Sequence, residues 1–322
     1  MDISTTLLAG GSIFFAMNMG GSGFSSSFSV ETGANLITKK QAILLFAIFV
    51  TVGAVLWGGN VVKTLGSGII PSGTFNNIKI VITVILASSI SLFIANLLKV
   101  PESTSWVTVF SISTVGIFFS NLNFKIFLYK IIPSWIILPV VGYFITFLIL
   151  KIFYPLSEKN FRIFELLTKY ERKTRIFVIA SSCCVAMALG SNNVANVIGP
   201  LSGAGIISPR SGLALLSPVF GAGAIVFHSP SITVGKEIVP LGLFTAAIIK
   251  FIFGSLLLIA SLLGIPQSCV QLNVACVVAV FATKEGTRNI VKKWSIKKIL
   301  LLWFVSPCIA SFLTYFMLWL LI

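Results

Sequence analysis

The sequence predicts an all-α polytopic membrane protein: two inverted-topology repeats of about five helical segments each, with broken or re-entrant helices at the midplane. Three observations carry this prediction. First, 57% of the 322 residues are hydrophobic and only 10% charged, with a mean hydropathy of +1.04; a soluble domain carries about 25% charged residues. Second, apolar runs recur along the whole chain, several near the roughly 20 residues that cross a bilayer. Third, three blocks of sequence return in the same order in the second half.

The apolar runs, in order, are Gln41–Trp57, Ile78–Leu98, Val107–Phe119, Ile131–Leu150, Ile176–Leu189, Leu241–Leu263 and Ile299–Ile322. Ahead of them, Leu7–Phe15 follows no basic segment, so no cleavable signal is expected. Residues 1–155 form the first predicted repeat and residues 175–322 the second. Residues 156–174 read as a charged, amphipathic cytoplasmic linker. Both termini are expected outside.

The duplication is read from residue matches. "GANLITKKQAILLFAIFVTVGAVLWGG" (Gly33–Gly59) aligns with "GAGIISPRSGLALLSPVFGAGAIVFHS" (Gly203–Ser229) at an offset of 170, since 203 − 33 = 170. Gly33 meets Gly203, Ile37 meets Ile207 and Gly53 meets Gly223. Backward, "GGSGFSS" (Gly20–Ser26) falls on "GSNNVAN" (Gly190–Asn196). Forward, "LLKVPEST" (Leu97–Thr104) falls on "LLGIPQSC" (Leu262–Cys269), where the offset is 262 − 97 = 165.

The net charge of +15 sits in loops between spans, so nucleic acid is not the expected partner. One cluster runs from Lys159 to Arg175 and the other from Lys284 to Lys298. Such clusters stay on the cytoplasmic side of the plasma membrane, where they also contact anionic lipid. The loop matching Lys284–Lys298 in the first half holds only Lys125 and Lys130. Opposite charge bias in equivalent loops is the signature of an inverted repeat. The single histidine, His228, excludes a multi-histidine metal site, and no metal site is predicted. His228 reads as an interfacial or structural residue at a helix end.

Helix-weakening residues fall inside hydrophobic segments at four places, two per half: Gly20–Ser29, Gly190–Gly199, Pro101–Ser105 and Pro266–Val270. Irregular backbone at membrane depth is tolerated only when buried in protein or lining a cavity. Related by one internal symmetry, four breaks can converge on one substrate site. Pro101 disfavours helix in the residue before it and can open a helix whose first turn carries Ser103, Thr104 and Ser105. Pro266 does the same for Ser268 and Cys269, the latter a weak S–H donor at the Thr104 position. A helix N-terminus with hydroxyls is a ready anion site. In the other pair, Gly21 and Gly23 permit close backbone approach. Ser22, Ser25 and Ser26 add hydroxyls, and Asn192, Asn193 and Asn196 add amides. Close helix packing by small residues is the competing reading of any one such cluster.

"GSNNVANVIGPLSGAG" (Gly190–Gly205) resembles the duplicated G-A-N-D-V-A-N-A-x-G signature of the inorganic phosphate transporter (PiT) family. "PESTSW" (Pro101–Trp106) is similar to that family's P-x-S-T-T-H segment. The resemblance covers nearly the full chain. It implies an anion transporter moving a substrate-carrying core against a scaffold, as an elevator in a homodimer. The departures matter. The family's Asp falls on Gly23 in the first copy and Asn193 in the second; its first-copy Asn residues fall on Ser22 and Ser26; its His falls on Trp106 and Gln271. Those Asn and Asp residues are implicated in sodium and phosphate binding in phosphate members. The start of the chain and "NNVANVIGP" look closest to the sulfate permease branch, the CysP type, whose members are regarded as proton-coupled sulfate importers.

Chemistry favours the same reading. Inorganic phosphate often retains a proton at neutral pH, and an ionised Asp can accept its hydrogen bond. Sulfate retains none, so a carboxylate facing it is an unpaired like charge in low dielectric. A site of N–H, hydroxyl and amide donors suits sulfate or thiosulfate. Of eight acidic residues, Glu102 sits in a predicted binding tip and Glu31 lies just beyond the first break. Both are candidates for carrying a coupling proton. Glu237 completes the set outside the terminus and charged loops. Lys250, inside an apolar run, is read as snorkelling as readily as facing an anion and is left out of the site. Trp106 reads as packing.

The sequence therefore points to a secondary transporter that imports sulfate, with thiosulfate as a further substrate, coupled to protons rather than sodium and needing no other cofactor. A sodium- or proton-coupled phosphate transporter is the alternative, and an anion channel a third. An enzyme is not expected: there is no acidic cluster, no His pair and no G-x-x-x-x-G-K-[ST] loop.

Overall fold

A computed structural model describes residues 2–97, 102–153, 165, 169–227, 242–286 and 294–322. Pro101, His228, Glu237, most of the 156–174 linker and part of the Lys284–Lys298 loop lie outside the described residues. All described elements are helical. In the first half they are α1 (Ile3–Gly33), α2 (Lys39–Trp57), α3 (Gly59–Lys63), α4 (Ile78–Leu97), α5 (Thr104–Phe118), α6 (Phe124–Ile126) and α7 (Ile132–Phe153). In the second they are α8 (Glu171–Asn193), α9 (Ala195–Gly203), α10 (Pro209–Val226), α11 (Leu243–Leu262), α12 (Cys269–Glu285) and α13 (Trp294–Leu321). Seven helical stretches among the described residues are long and apolar enough to cross a membrane. Exposed Leu44, Ile48, Leu56, Ile136, Phe144 and Leu148 coat α2 and α7 with the apolar surface that lipid requires.

Local chemistry starts and stops these helices in the same way in both halves. Thr38 caps α2 through Gln41 N–H, and the Gln41 side chain reaches back to the Thr38 N–H, a capping box. Ser208, 170 residues later, caps α10 through Ser211 N–H, with Pro209 at the first helical position. Just before these caps the chain turns through positive φ at Asn35 (54°) and Gly205 (69°), again 170 residues apart. The backbone bonds around them repeat too: Leu36 N–H reaches Glu31 O and Ile206 N–H reaches Leu201 O.

Packing also repeats when the halves are exchanged. α1 packs on α10 while α8 packs on α2, and α7 packs on α12 while α13 packs on α5. Glycines set the first crossing. A Cβ on Gly20 would lie 1.7 Å from Phe220 O, and one on Gly223 would lie 2.0 Å from Met17 O. At the equivalent crossing, Gly190 faces Val50 O and Gly53 faces Met187 O, each at 2.0 Å. Only a residue without a Cβ lets these backbones meet. Phe46 of α2, buried against Phe24 and Phe28 of α1 and Phe220 of α10, fills the space beside the first crossing.

Two expected breaks need correction. The Gly20–Ser29 stretch does not interrupt its helix; α1 runs unbroken from Ile3 to Gly33. The serines satisfy themselves inside it: Ser22 donates to Met19 O, Ser26 to Ser22 O and Ser27 to Gly23 O, the back-bonding that short hydroxyl side chains favour in a helix. Tight packing overrides the low helix propensity of glycine. In Gly190–Gly199 the interruption is a single residue, Val194, which keeps helical dihedrals between α8 and α9. The other two breaks are real, but the prolines do not open the new helices. α5 starts at Thr104 and α12 at Cys269, each behind a serine cap.

Candidate functional site

The two real breaks build matching helix starts. Ser103 accepts a hydrogen bond from Trp106 N–H at 3.3 Å, and Ser268, 165 residues on, accepts one from Gln271 N–H at 3.2 Å. The cap leaves the first N–H groups of α5 and α12 without intrahelical acceptors, with the positive dipole end beside them.

A cavity of about 30 Å³ lies where these starts meet α1 and α8. A water needs about 10–15 Å³ measured this way, so the space suits one compact group rather than an organic molecule. Ser22, Gly23 and Ser26 line it from α1, and Leu189 and Asn193 from α8. Glu102, Ser103 and Thr104 line it from the first break, and Cys269 and Val270 from the second. No Lys or Arg is among these residues, and Glu102 is their one carboxyl group. Ser91 donates to Glu102 Oε1 at 3.0 Å. Asn193 is 5% exposed, and its Oδ1 has no partner among the described residues.

The predicted residues thus divide. Ser22, Gly23, Ser26, Glu102, Ser103, Thr104, Asn193 and Cys269 meet at the cavity. Gly21, Ser25, Ser105, Asn192, Asn196, Ser268 and Glu31 do not line it. Gly21 sits against Phe227 O, where a Cβ would lie at 2.4 Å, and Ser25 is buried elsewhere on α1.

Asn192 spends its whole amide on the protein. Its Oδ1 accepts from Gln267 N–H (3.1 Å) and from the Ser105 hydroxyl (3.4 Å). Its Nδ2 donates to Ser261 Oγ (3.0 Å) and Ile265 O (2.9 Å). Asn196 donates toward Thr104 and Ser105 hydroxyls at 3.4 and 3.5 Å. Both asparagines hold the breaks in place instead of facing the cavity. Glu31 pairs with Lys250, the lysine set aside from the site.

Three residues missed from the sequence also shape the site. Ser91 holds Glu102. Trp135 stacks on Trp106 at 4.6 Å between ring centroids, and its Nε1–H donates to Pro266 O at 2.8 Å. Gln267 matches Glu102 in the repeat, and its buried amide has no partner among the described residues. Only Gln267 left a signal, through that alignment.

Residues 19–314 match the phosphate transporter family. The chain belongs to this family. Sulfate permease CysP of Bacillus subtilis strain 168 is 33% identical over 309 residues, 94% of this chain and 84% of that protein. A putative phosphate permease of Helicobacter pylori strain J99 is 33% identical over 146 residues, 43% of this chain but only 27% of its own length. A solved chain titled as the sodium-dependent phosphate transporter superposes with a TM-score of 0.79 over 100% of both chains, at 22% identity, and shows the fold. This member of the phosphate transporter family is thus a multi-pass membrane anion transporter.

Proposed function

We propose that this chain imports sulfate, with thiosulfate as a second substrate, across the plasma membrane in symport with protons. One observation carries the proposal: a cavity sized for one compact group, lined by hydroxyl, amide and helix N-terminal donors around the single carboxyl of Glu102. Hydroxyl and N–H groups serve a fully deprotonated oxyanion. Carboxylate and dianion repel strongly in a low-dielectric site. Uptake of a proton by Glu102 with the anion removes that repulsion and carries a proton along the same path. The similarity to a sulfate permease over 94% of the chain supports the substrate.

The paired helix starts and reciprocal packing support two repeats, residues 1–155 and 175–322, joined by a 156–174 linker. Inversion rests on the charge bias of their loops: the linker and the Lys284–Lys298 loop are cytoplasmic. A homodimer moving by an elevator is the working arrangement.

Purified protein in liposomes tests this. Labelled sulfate should accumulate under an inward proton gradient without sodium, and thiosulfate should compete better than phosphate. Stronger competition by phosphate would favour the second reading, a phosphate transporter driven by sodium or protons, to which the fold neighbour's title points. Flux that follows voltage without concentrating substrate would favour a channel.

A further inference from the structure

Lys250 lies on α11 and is 4% exposed; Glu31 on α1 is fully buried. The Lys250 ammonium donates to Ser27 O (2.5 Å) and Glu31 Oε2 (2.6 Å) on α1, and to Ser182 Oγ (3.1 Å) on α8. An ammonium has three N–H donors, and all three are spent. The nest is a carboxylate, a backbone carbonyl and a hydroxyl from two helices, with the lysine entering from a third. A fourth oxygen, Glu31 Oε1, is buried with no partner among the described residues. None of these four residues lines the anion cavity.

We infer that this nest is a monovalent-cation site whose occupant is the tethered ammonium of Lys250, and that removing the lysine side chain opens it to sodium. Hard cations take oxygen ligands of this kind. One carboxylate balances one positive charge; a divalent ion would leave a net charge in the interior, which is costly at membrane depth. Lysine suits the role because its ammonium is a compact point charge, unlike the planar fork of arginine. An ammonium is limited to three directed bonds, whereas a bare ion can also take the unused Glu31 Oε1. The chain thus carries its own cation here, and this position asks for none from solution. Glu31 lies five residues beyond Ser26, about 7.5 Å along the helix axis, so the pair also keeps a buried carboxylate near the anion path neutralised.

The test uses purified full-length protein in detergent, in sodium or choline chloride at equal ionic strength. Lys250→Ala should gain a saturable, sodium-dependent rise in Tm of about 3 °C or more over any response of the wild type. Adding Glu31→Gln to Lys250→Ala should abolish the gained response. The inference fails if Lys250→Ala responds to sodium no more than wild type, or is recovered folded in neither salt. It also fails if the gained response survives Glu31→Gln. Recovery of Lys250→Ala in sodium but not in choline supports it. Because the readout is the response gained over wild type and its dependence on Glu31, it is independent of which anion the protein carries.

Discussion

The Ser105 hydroxyl donates to the Gln267 carbonyl across 3.1 Å, tying the helix break of one half directly to the break of the other. Both partners are buried, and Asn192 contacts the same pair through Ser105 Oγ and Gln267 N–H. A polar brace of Ser105, Gln267 and Asn192 therefore joins the two breaks beside the cavity and fixes one helix start relative to the other.

Asn192 and its neighbour Asn193 should separate positioning from contact. Asn192→Ala removes the amide partner of the Gln267 N–H and of the Ile265 carbonyl, each loss costing about 1–3 kcal/mol when the group stays buried. Thermal unfolding in detergent should show a clear loss of stability, with transport lost as well. Asn193→Ala, whose amide faces the cavity, should unfold near the wild-type temperature and raise the sulfate KM about tenfold or more. Equal loss of stability in both variants would remove the distinction.

Glu102→Gln replaces the one carboxyl of the cavity with a neutral group of the same shape. Labelled sulfate should still exchange across the membrane in liposomes. Accumulation driven by a proton gradient should fall about tenfold, and the exchange should lose its pH dependence. Undiminished proton-driven accumulation would take Glu102 out of the coupling step.

The glycine crossings predict sharply position-dependent effects. Gly20→Ala and Gly190→Ala drive a Cβ into a backbone carbonyl at 1.7 and 2.0 Å, which requires the helices to separate. The cost should be about 3 kcal/mol or more, at or above the upper end for overpacked sites, and the yield of folded protein should collapse. Gly10→Ala, with nothing within 4 Å of the new carbon, should be neutral or slightly stabilising. Size-exclusion profiles of the three variants from membranes give the comparison.

Trp135→Phe keeps an aromatic ring against Trp106 and deletes the bond to Pro266 O. About 1 kcal/mol of stability should be lost. Transport should weaken several-fold through the shifted 263–268 segment, while a leucine at the same position should do more harm by removing the stack as well.

Much of this molecule was legible in its sequence, and the parts that were not share a cause. The proline-marked breaks were readable because a proline disfavours helix in the residue before it and each is followed by a serine suited to cap a new helix, Ser103 and Ser268. The Gly20–Ser29 stretch was not, because a serine hydroxyl bonds its own helix as readily as it faces a ligand. The choice falls to α10, whose backbone takes up the space beside Gly20. Asn192 and Asn193 are chemically identical in the sequence, and only their directions around α8 assign one to the brace and one to the cavity. The role of Lys250 is not legible in the sequence, because snorkelling and burial cannot be told apart without its partner, and Glu31 stands 219 positions away.

The sequence by itself determined the membrane class, the recurrence of three sequence blocks in order, the two proline-marked breaks and the charge of the basic clusters. These follow from hydrophobicity, backbone chemistry and repetition, which act along the chain. Tertiary structure alone decided that α1 runs unbroken from Ile3 to Gly33, that Asn192 braces while Asn193 faces the cavity, and that Lys250 neutralises Glu31. Each of these depends on which groups the other half of the protein presents, and a buried polar group takes its role from the partner that satisfies it.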